Sequence, residues 1–264
     1  MIRSLHISAE TLRMLKRIAW GGLLFLVAII VVSAVERKEA SLVPELSIDI
    51  EPLPDGELLI NGQDVRLAIE RSFGYRLEGM PVGSIDVQRL EKVLEAEPFI
   101  LDADVYIGAN NQIKVGVVQR EPILRVMDKN GLNYYLDANG IKMPLSPHFT
   151  AKVIVATGNL PPYEPKFLDR RRNTLKDVFL LAKMIIEDEF LNAMIEQAHV
   201  SNRGEITLVP KVGNHKITFG KYEEAKKKLN RLKIFYKEAL PYEGWNKYSE
   251  ISLQYNGQVV CKKR

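Results

Sequence analysis

The 264-residue chain carries 37 Lys and Arg against 33 Asp and Glu, a formal net charge of +4 at pH 7, and 46% of its residues are hydrophobic. So even a balance argues against a nucleic-acid protein, whose charge would be strongly and locally basic. The single cysteine, Cys261, excludes an intrachain disulfide, and no low-complexity tract or fixed-period repeat supports a solenoid or propeller.

The first predicted element is Ile18 to Val35, a run without a charged side chain. At about 1.5 Å rise per residue it reaches roughly 27 Å, close to the ~30 Å hydrocarbon thickness that only a backbone-satisfied helix crosses. Trp20 suits the interfacial belt, and the Gly21-Gly22 pair either lets a second helix approach closely or is simply tolerated in a span. The competing reading is a cleaved signal peptide. Its apolar region is usually shorter, about 7–15 residues, and Ser33-Ala34-Val35 only half resembles a cleavage site. Arg3, Arg13, Lys16 and Arg17 precede the run, whereas Glu36-Arg37-Lys38-Glu39 cancels itself. The expected topology is therefore a cytoplasmic tail, 1–17, a membrane helix, 18–35, and everything later exported.

Residues 36–45 are polar and read as a linker. From Leu46 apolar and polar residues alternate, which predicts a strand; Gln63 to Phe73 predicts a helix with Val65, Ile69 and Phe73 on one stripe and Asn61 as its cap. A second helix, capped by Ser84 or Asp86, carries Val87, Leu90, Val93 and Leu94. Two alternating stretches, Ile100–Ile107 and Ile113–Val118, then form a hairpin. The order strand, helix, helix, strand, strand makes a two-layer α+β unit over 46–121.

Pro122 marks a boundary or an edge strand. The remainder, 122–264, reads as a mixed β-rich domain with flanking helices. Ile123–Val126, Leu132–Leu136 and Ile141–Leu145 form a meander reversed at Asp128-Lys129-Asn130-Gly131 and Asp137-Ala138-Asn139-Gly140. Val153–Thr157 is a strand and Leu175–Met194 one helix; strands follow at Gln197–Ser201, Ile206–Val209 and His215–Phe219. A helix Tyr222–Leu240 is stopped by Pro241, and a terminal strand runs from Tyr248 to Cys261 with a bulge or a bend at Asn256-Gly257. The basic sets Asp169-Arg170-Arg171-Arg172 and Lys226, Lys227, Lys228 read as solvated surface.

Glu97-Pro98-Phe99-Ile100, Ala103-Asp104-Val105-Tyr106, the run Val117-Val118-Gln119-Arg120-Glu121-Pro122 and Tyr135-Leu136-Asp137-Ala138-Asn139-Gly140, taken with the anchor and the domain order, resemble the FtsQ (DivIB) family of bacterial cell-division proteins. The resemblance implies a POTRA-like β-α-α-β-β domain after the anchor, a single pass through the cell inner membrane with the later domains periplasmic, a place at the division septum, and a noncatalytic role as a divisome scaffold. The implied partners are FtsB/FtsL-type division proteins, linking septum assembly to peptidoglycan synthesis. They would dock on the terminal strand and the helix before it, at Tyr248, Ile251, Leu253 and Tyr255, with Lys227 and Arg231 for acidic side chains. Addition of a partner strand at a sheet edge fits that placement physically, although one face of the strand is as readily core. Gln254 stands where a basic residue is expected from the family.

Catalytic chemistry is not signalled. His6, His148, His199 and His215 have no metal-ligand spacing, Cys261 has no histidine nearby in sequence, and no nucleophile elbow or phosphate loop is present. No cofactor, metal or small-molecule substrate is expected. The alternatives are a POTRA-containing polypeptide-transport component and an anchored cell-wall enzyme.

Overall fold

The computed structural model describes residues 9–264. Arg3 lies outside the described residues, as does the side chain of Arg13. The first helix, α1 (Ala9–Ala40), contains the apolar run, and its stretch Lys16–Ala40 is the one helix among the described residues long and apolar enough to cross a membrane. These 25 residues extend about 38 Å. The helix runs through the first half of the expected linker because Glu36, Arg37, Lys38, Glu39 and Ala40 are good helix formers, and Arg37 and Lys38 sit in the last turn, where the helix dipole favours cations. The second half is pinned as well. Val43 is 1% exposed, its N–H donates to the Met80 carbonyl at 2.9 Å, and its own carbonyl accepts from Gly79 at 2.8 Å.

The chain divides into two compact units, one comprising the residues up to Asp49 with 62–95 and 103–117, the other 50–61, 96–102 and 118–264. The elements of the first part follow the expected order: β1 (Leu46–Glu51), α2 (Gly62–Phe73), α3 (Val87–Glu95), β2 (Ile100–Ile107) and β3 (Ile113–Gln119), with the strands in the order β1-β3-β2. Asp86 caps α3 by accepting from the Arg89 N–H at 3.0 Å. In the first unit Val65, Ala68 and Ile69 of α2 and Leu90 and Leu94 of α3 are buried, as are Val105 of β2 and Val115 of β3.

The second unit is built on a nine-stranded sheet. Its strands are β4 (Pro122–Asp128), β5 (Asn133–Asp137), β6 (Lys142–Met143), β7 (Ile154–Gly158), β8 (Ile195–Val200), β9 (Ile206–Pro210), β10 (Lys216–Gly220), β11 (Tyr248–Ser252) and β12 (Val260–Lys263). They lie in the order β12-β11-β10-β9-β8-β7-β4-β5-β6. The meander of β4, β5 and β6 is antiparallel, whereas β7 adds parallel to both β4 and β8, and β10 is parallel to β11. Parallel neighbours need crossovers, and helices supply two of them: α4 (Thr174–Ile186) and α5 (Glu189–Met194) between β7 and β8, and α6 (Ala225–Glu238) with α7 (Leu240–Glu243) between β10 and β11.

These helices cover one face of the sheet. Leu124, Ala156, Ala198, Leu208, Ile217 and Ile251 from successive strands share a core with Val178, Phe179 and Ala182 of α4 and Leu229, Leu232 and Tyr236 of α6. The alternate residues are polar and pair with one another, as Thr157 with His199 at 3.0 Å and Thr218 with Glu250 at 2.6 Å. A one-sided antiparallel or mixed sheet has this alternation.

Five expectations change. The predicted helix 175–194 breaks because Asp188 starts a new one, its side chain accepting from the N–H groups of Phe190 and Leu191. The predicted helix 222–240 starts at Ala225, after Glu224 at φ 52°, and Pro241 does not stop the chain but enters the first turn of α7, where a missing N–H costs nothing. Of the two alternatives for Pro122, the edge strand falls: it opens an interior strand at its first residue, where proline is tolerated. Lys228 is not surface. It is 8% exposed, and its ammonium donates to the carbonyls of Phe219 at 3.1 Å and Lys221 at 2.7 Å. Finally, Tyr248–Cys261 is two strands, β11 and β12, paired antiparallel as a hairpin; Asn256-Gly257 belongs to the reversal and makes no bulge.

Candidate partner-binding edge

The hairpin decides which terminal residues face outward. β11 is flanked by β10 on one side and β12 on the other, so its backbone groups are spent inside the sheet. The open edge belongs to β12. Ser252 is opposite Val260 and Ile251 opposite Cys261, which leaves the far side of Val260-Cys261-Lys262-Lys263 without a neighbouring strand among the described residues. Val260 is 41% exposed, Lys262 and Lys263 are exposed, and Cys261 is half-buried against the core, where burial raises its thiol pKa.

The residues singled out from sequence land in three different environments. Ile251 and Leu253 are 0% exposed and belong to the sheet–helix core, so neither side chain reaches a partner on the surface. Tyr248 is half-buried, its ring 6.1 Å from that of Phe235 and its hydroxyl donating to Glu243 at 3.3 Å. Tyr255 is 53% exposed in the turn of the hairpin.

Arg231 reaches that turn from α6. Its Nη2 donates to the carbonyls of Leu253 at 3.1 Å and Tyr255 at 3.3 Å, and its Nε is buried without a partner among the described residues. The guanidinium therefore holds the turn to the helix and is not an exposed cation awaiting a carboxylate. Lys227, one turn earlier, pairs with Glu224 at 2.5 Å, an exposed contact that holds the Glu224 carboxyl below its ordinary range.

Between α6 and the turn lies a shallow groove of about 300 Å³, lined by Arg231, Ile234, Phe235, Glu238, Gly257 and Val259 among others. Ile234 is 52% exposed there, and the groove runs directly into β12 because Gly257 and Val259 immediately precede it. The extended backbone edge of β12, with Lys262 and Lys263 exposed on it, thus continues from an apolar groove. The sequence reading missed Ile234, Val260 and the lysines because one continuous strand leaves no second edge; Asn256-Gly257, a strong reversal signal, was the clue.

On α1, Trp20 is 65% exposed, and a Cβ at Gly21 or Gly22 would meet nothing within 4 Å, so no segment among the described residues packs on the glycine pair. Among the described residues, no group of three or more His, Cys, Asp or Glu is placed to hold a metal.

The motifs that carry the resemblance also fall together. Gln119 Oε1 accepts from the Leu59 N–H at 2.6 Å and its Nε2 donates to the Glu51 carbonyl at 2.9 Å. Arg120 pairs with Asp137 at 2.8 Å, both nearly buried, and donates to the carbonyls of Pro98 at 3.2 Å and Ile100 at 2.9 Å. Asp137 uses its other oxygen for the N–H groups of Asn139 and Ile141, and the Tyr135 hydroxyl accepts from Ala151. These residues stitch 50–61 and 96–102 onto β5, which is structural work at the opposite end of the sheet from β12.

Comparison with protein-family profiles matches residues 121–262 to the family described as FtsQ/DivIB, C-terminal related, and residues 45–118 to the POTRA-like domain. A search of curated proteins gave no match.

Proposed function

The chain belongs to the FtsQ/DivIB family of noncatalytic division scaffolds, and from that premise we propose that it is a bitopic scaffold that receives a strand of an FtsB/FtsL-type partner on β12. The α1 helix serves as its single membrane anchor. In this reading the tail, 1–17, is cytoplasmic, as its basic residues direct, and everything after the anchor lies on the other side, at the septum of the inner membrane.

The observation that carries the docking reading is the open edge of β12 continuous with the Ile234 groove. A partner strand would satisfy the outer backbone groups of Val260–Lys263, and an apolar side chain on it would fill the groove. Lys262 and Lys263 select acidic residues on the incoming strand and disfavour pairing of two copies through the same edge, since like charges would then be opposed. Tyr255 and Val260 add exposed apolar surface. Ile251 and Leu253 support the edge from behind, and Arg231 shapes it through the turn. The Gly21-Gly22 face of α1 is a second place where a partner's membrane helix could pack closely.

The test is binding of the partner's soluble segment to the full chain in lipid nanodiscs, native against Ile234→Glu and against Val260→Pro and Cys261→Pro in parallel. One of the two prolines must remove an outward N–H. The expected outcome is a loss of affinity of about tenfold or more for Ile234→Glu and for the outward-facing proline, with thermal unfolding of Ile234→Glu unchanged. Undiminished binding in all three would reject β12 as the dock.

A further inference from the structure

His215 stands at the foot of β10, 2% exposed, among the elements that hold the β12 edge in place. Its Nε2 is 2.7 Å from the Tyr236 hydroxyl on α6, and the two rings meet edge to face with centroids 5.7 Å apart. Tyr236 in turn packs edge to face on Trp245, at 5.6 Å, in the segment leading into β11. Gly213, at φ +85°, passes so close that a Cβ on it would lie 2.8 Å from the imidazole Nδ1, so the backbone itself encloses the ring. The preceding residue, Asn214, accepts a hydrogen bond from the Arg264 guanidinium at 2.8 Å, and the Arg264 N–H donates to the Lys247 carbonyl at 3.2 Å. One histidine thus sits where β10, α6, the Trp245 segment and the end of the hairpin converge.

The groups around this ring suit a neutral imidazole. From α6 it meets the Tyr236 phenol, from the Trp245 segment a backbone group, and from the end of β12 the Arg264 guanidinium. None of these is an acid that would balance a second positive charge. We propose that His215 is a proton-operated latch on the docking edge: neutral, it locks β10, α6 and the Trp245 segment around the hairpin; protonated, it releases β12. The regulatory consequence rests on the reading of β12 as the partner's dock, since releasing the edge then releases the partner.

The direction follows from the surroundings. Burial holds the His215 pKa below the ordinary histidine value, the Trp245 backbone opposes this more weakly, and Arg264 adds to the lowering. An opened hairpin exposes the ring and restores an ordinary pKa of about 6.5. Below that pH the opened state takes up a proton that the closed state refuses. The opening equilibrium therefore rises as pH falls, by up to about tenfold per unit, until the closed state's own pKa is reached. Above about pH 7 both states are neutral and the latch is fully closed.

Hydrogen exchange of residues 248–264 in the full chain in nanodiscs, at pH 7.5 and 5.5 and corrected for intrinsic rates, tests this without any partner. The expected result is at least fivefold faster exchange of 260–264 at pH 5.5 in the native chain and in His199→Gln, whose histidine is exposed on the polar face of the sheet, with no such change in His215→Gln, which keeps a hydrogen-bonding group but cannot titrate. An equal pH response in His215→Gln, or none in the native chain, overturns the latch. Should His215→Gln exchange throughout as an unfolded chain, the imidazole titration of the native protein by NMR decides: a pKa well below 6.5 supports the latch and one at or above it rejects it. Partner binding measured alongside at pH 7.5 separates the two ideas, because its absence there defeats the docking reading while the exchange result still judges the latch.

Discussion

At the β6 end of the nine-stranded sheet the last strand is two residues long, and the Lys142 N–H is taken by the Tyr163 hydroxyl at 3.3 Å. The strand behind it, β5, is buried on both faces, with Tyr134 in the main core and Tyr135 among Leu53, Leu59, Met143 and Ala151. The β12 end is finished differently. There the last strand has four residues, no covering segment among the described residues, an adjoining groove and the exposed Lys262 and Lys263. Edges are hazards that folded proteins cover, shorten or charge. One end of this sheet is covered and shortened, and the other is only charged, which keeps strangers off while leaving a matched partner free to add.

The contrast predicts that substitutions at the β6 end act on stability and those at the β12 end on binding. The largest stability effect belongs to Asp137→Ala, which strands the nearly buried Arg120 and two turn N–H groups; breaking a buried pair costs about 3–5 kcal/mol. Chemical denaturation of the full chain in detergent should show that loss. Leu253→Ala comes next, at about 2–5 kcal/mol for a large-to-small change in a core. Although Leu253 follows β11 directly, its side chain never meets a partner, so any loss of binding should follow the loss of fold and recover when the chain is stabilised otherwise. Gln119→Ala leaves the buried Leu59 N–H without its partner, about 1–3 kcal/mol, while the more exposed Glu51 carbonyl can turn to water.

Smaller effects sharpen the comparison. Asp188 caps α5 and accepts from Lys233 at 2.5 Å, and that hydrogen bond holds its carboxyl below the ordinary aspartate range. Because the folded value is the lower one, this contribution is present above the ordinary aspartate pKa of about 3.9 and is lost as pH falls through the folded value. Native protein should therefore lose more stability between pH 5 and 3 than Asp188→Asn does, while the His215 response falls at higher pH. Least of all for stability, Lys262→Glu with Lys263→Glu should change unfolding by no more than about 0.5 kcal/mol. Partner binding should weaken several-fold, most at low salt, because exposed charges act over a Debye length of about 10 Å at 0.1 M.

Much of this was legible in the chain. The 2-fold alternation of Leu46–Glu51 and Ile113–Val118 and the stripes of α2 and α3 gave the first unit in its right order, because short half-buried elements advertise their faces. Alternation also gave Ile251 and Leu253 one common face, but periodicity alone does not say whether that face meets a core or a partner; the buried contacts with α6 decide it. The helix break at Asp188 was written as an N-cap inside a helical pattern and was outweighed by the continuing apolar stripe. Lys228 looked like its neighbours Lys226 and Lys227 because a buried lysine capped by carbonyls has no sequence mark. The roles of Gln119, Arg120 and Asp137 were hidden for another reason: their partners lie up to 68 residues away, at Glu51 for Gln119. The edge itself turned on whether Asn256-Gly257 bends a strand or reverses it, a difference that two residues do not encode by themselves.

Photo-crosslinking with the partner bound is the most direct test of the central claim. A photoreactive side chain is placed singly at Val260, Lys262 or Lys142 of the full chain in nanodiscs. The account predicts crosslinks to the partner from Val260 or Lys262 and none from Lys142. Crosslinks from Lys142 with none from the β12 positions would contradict it.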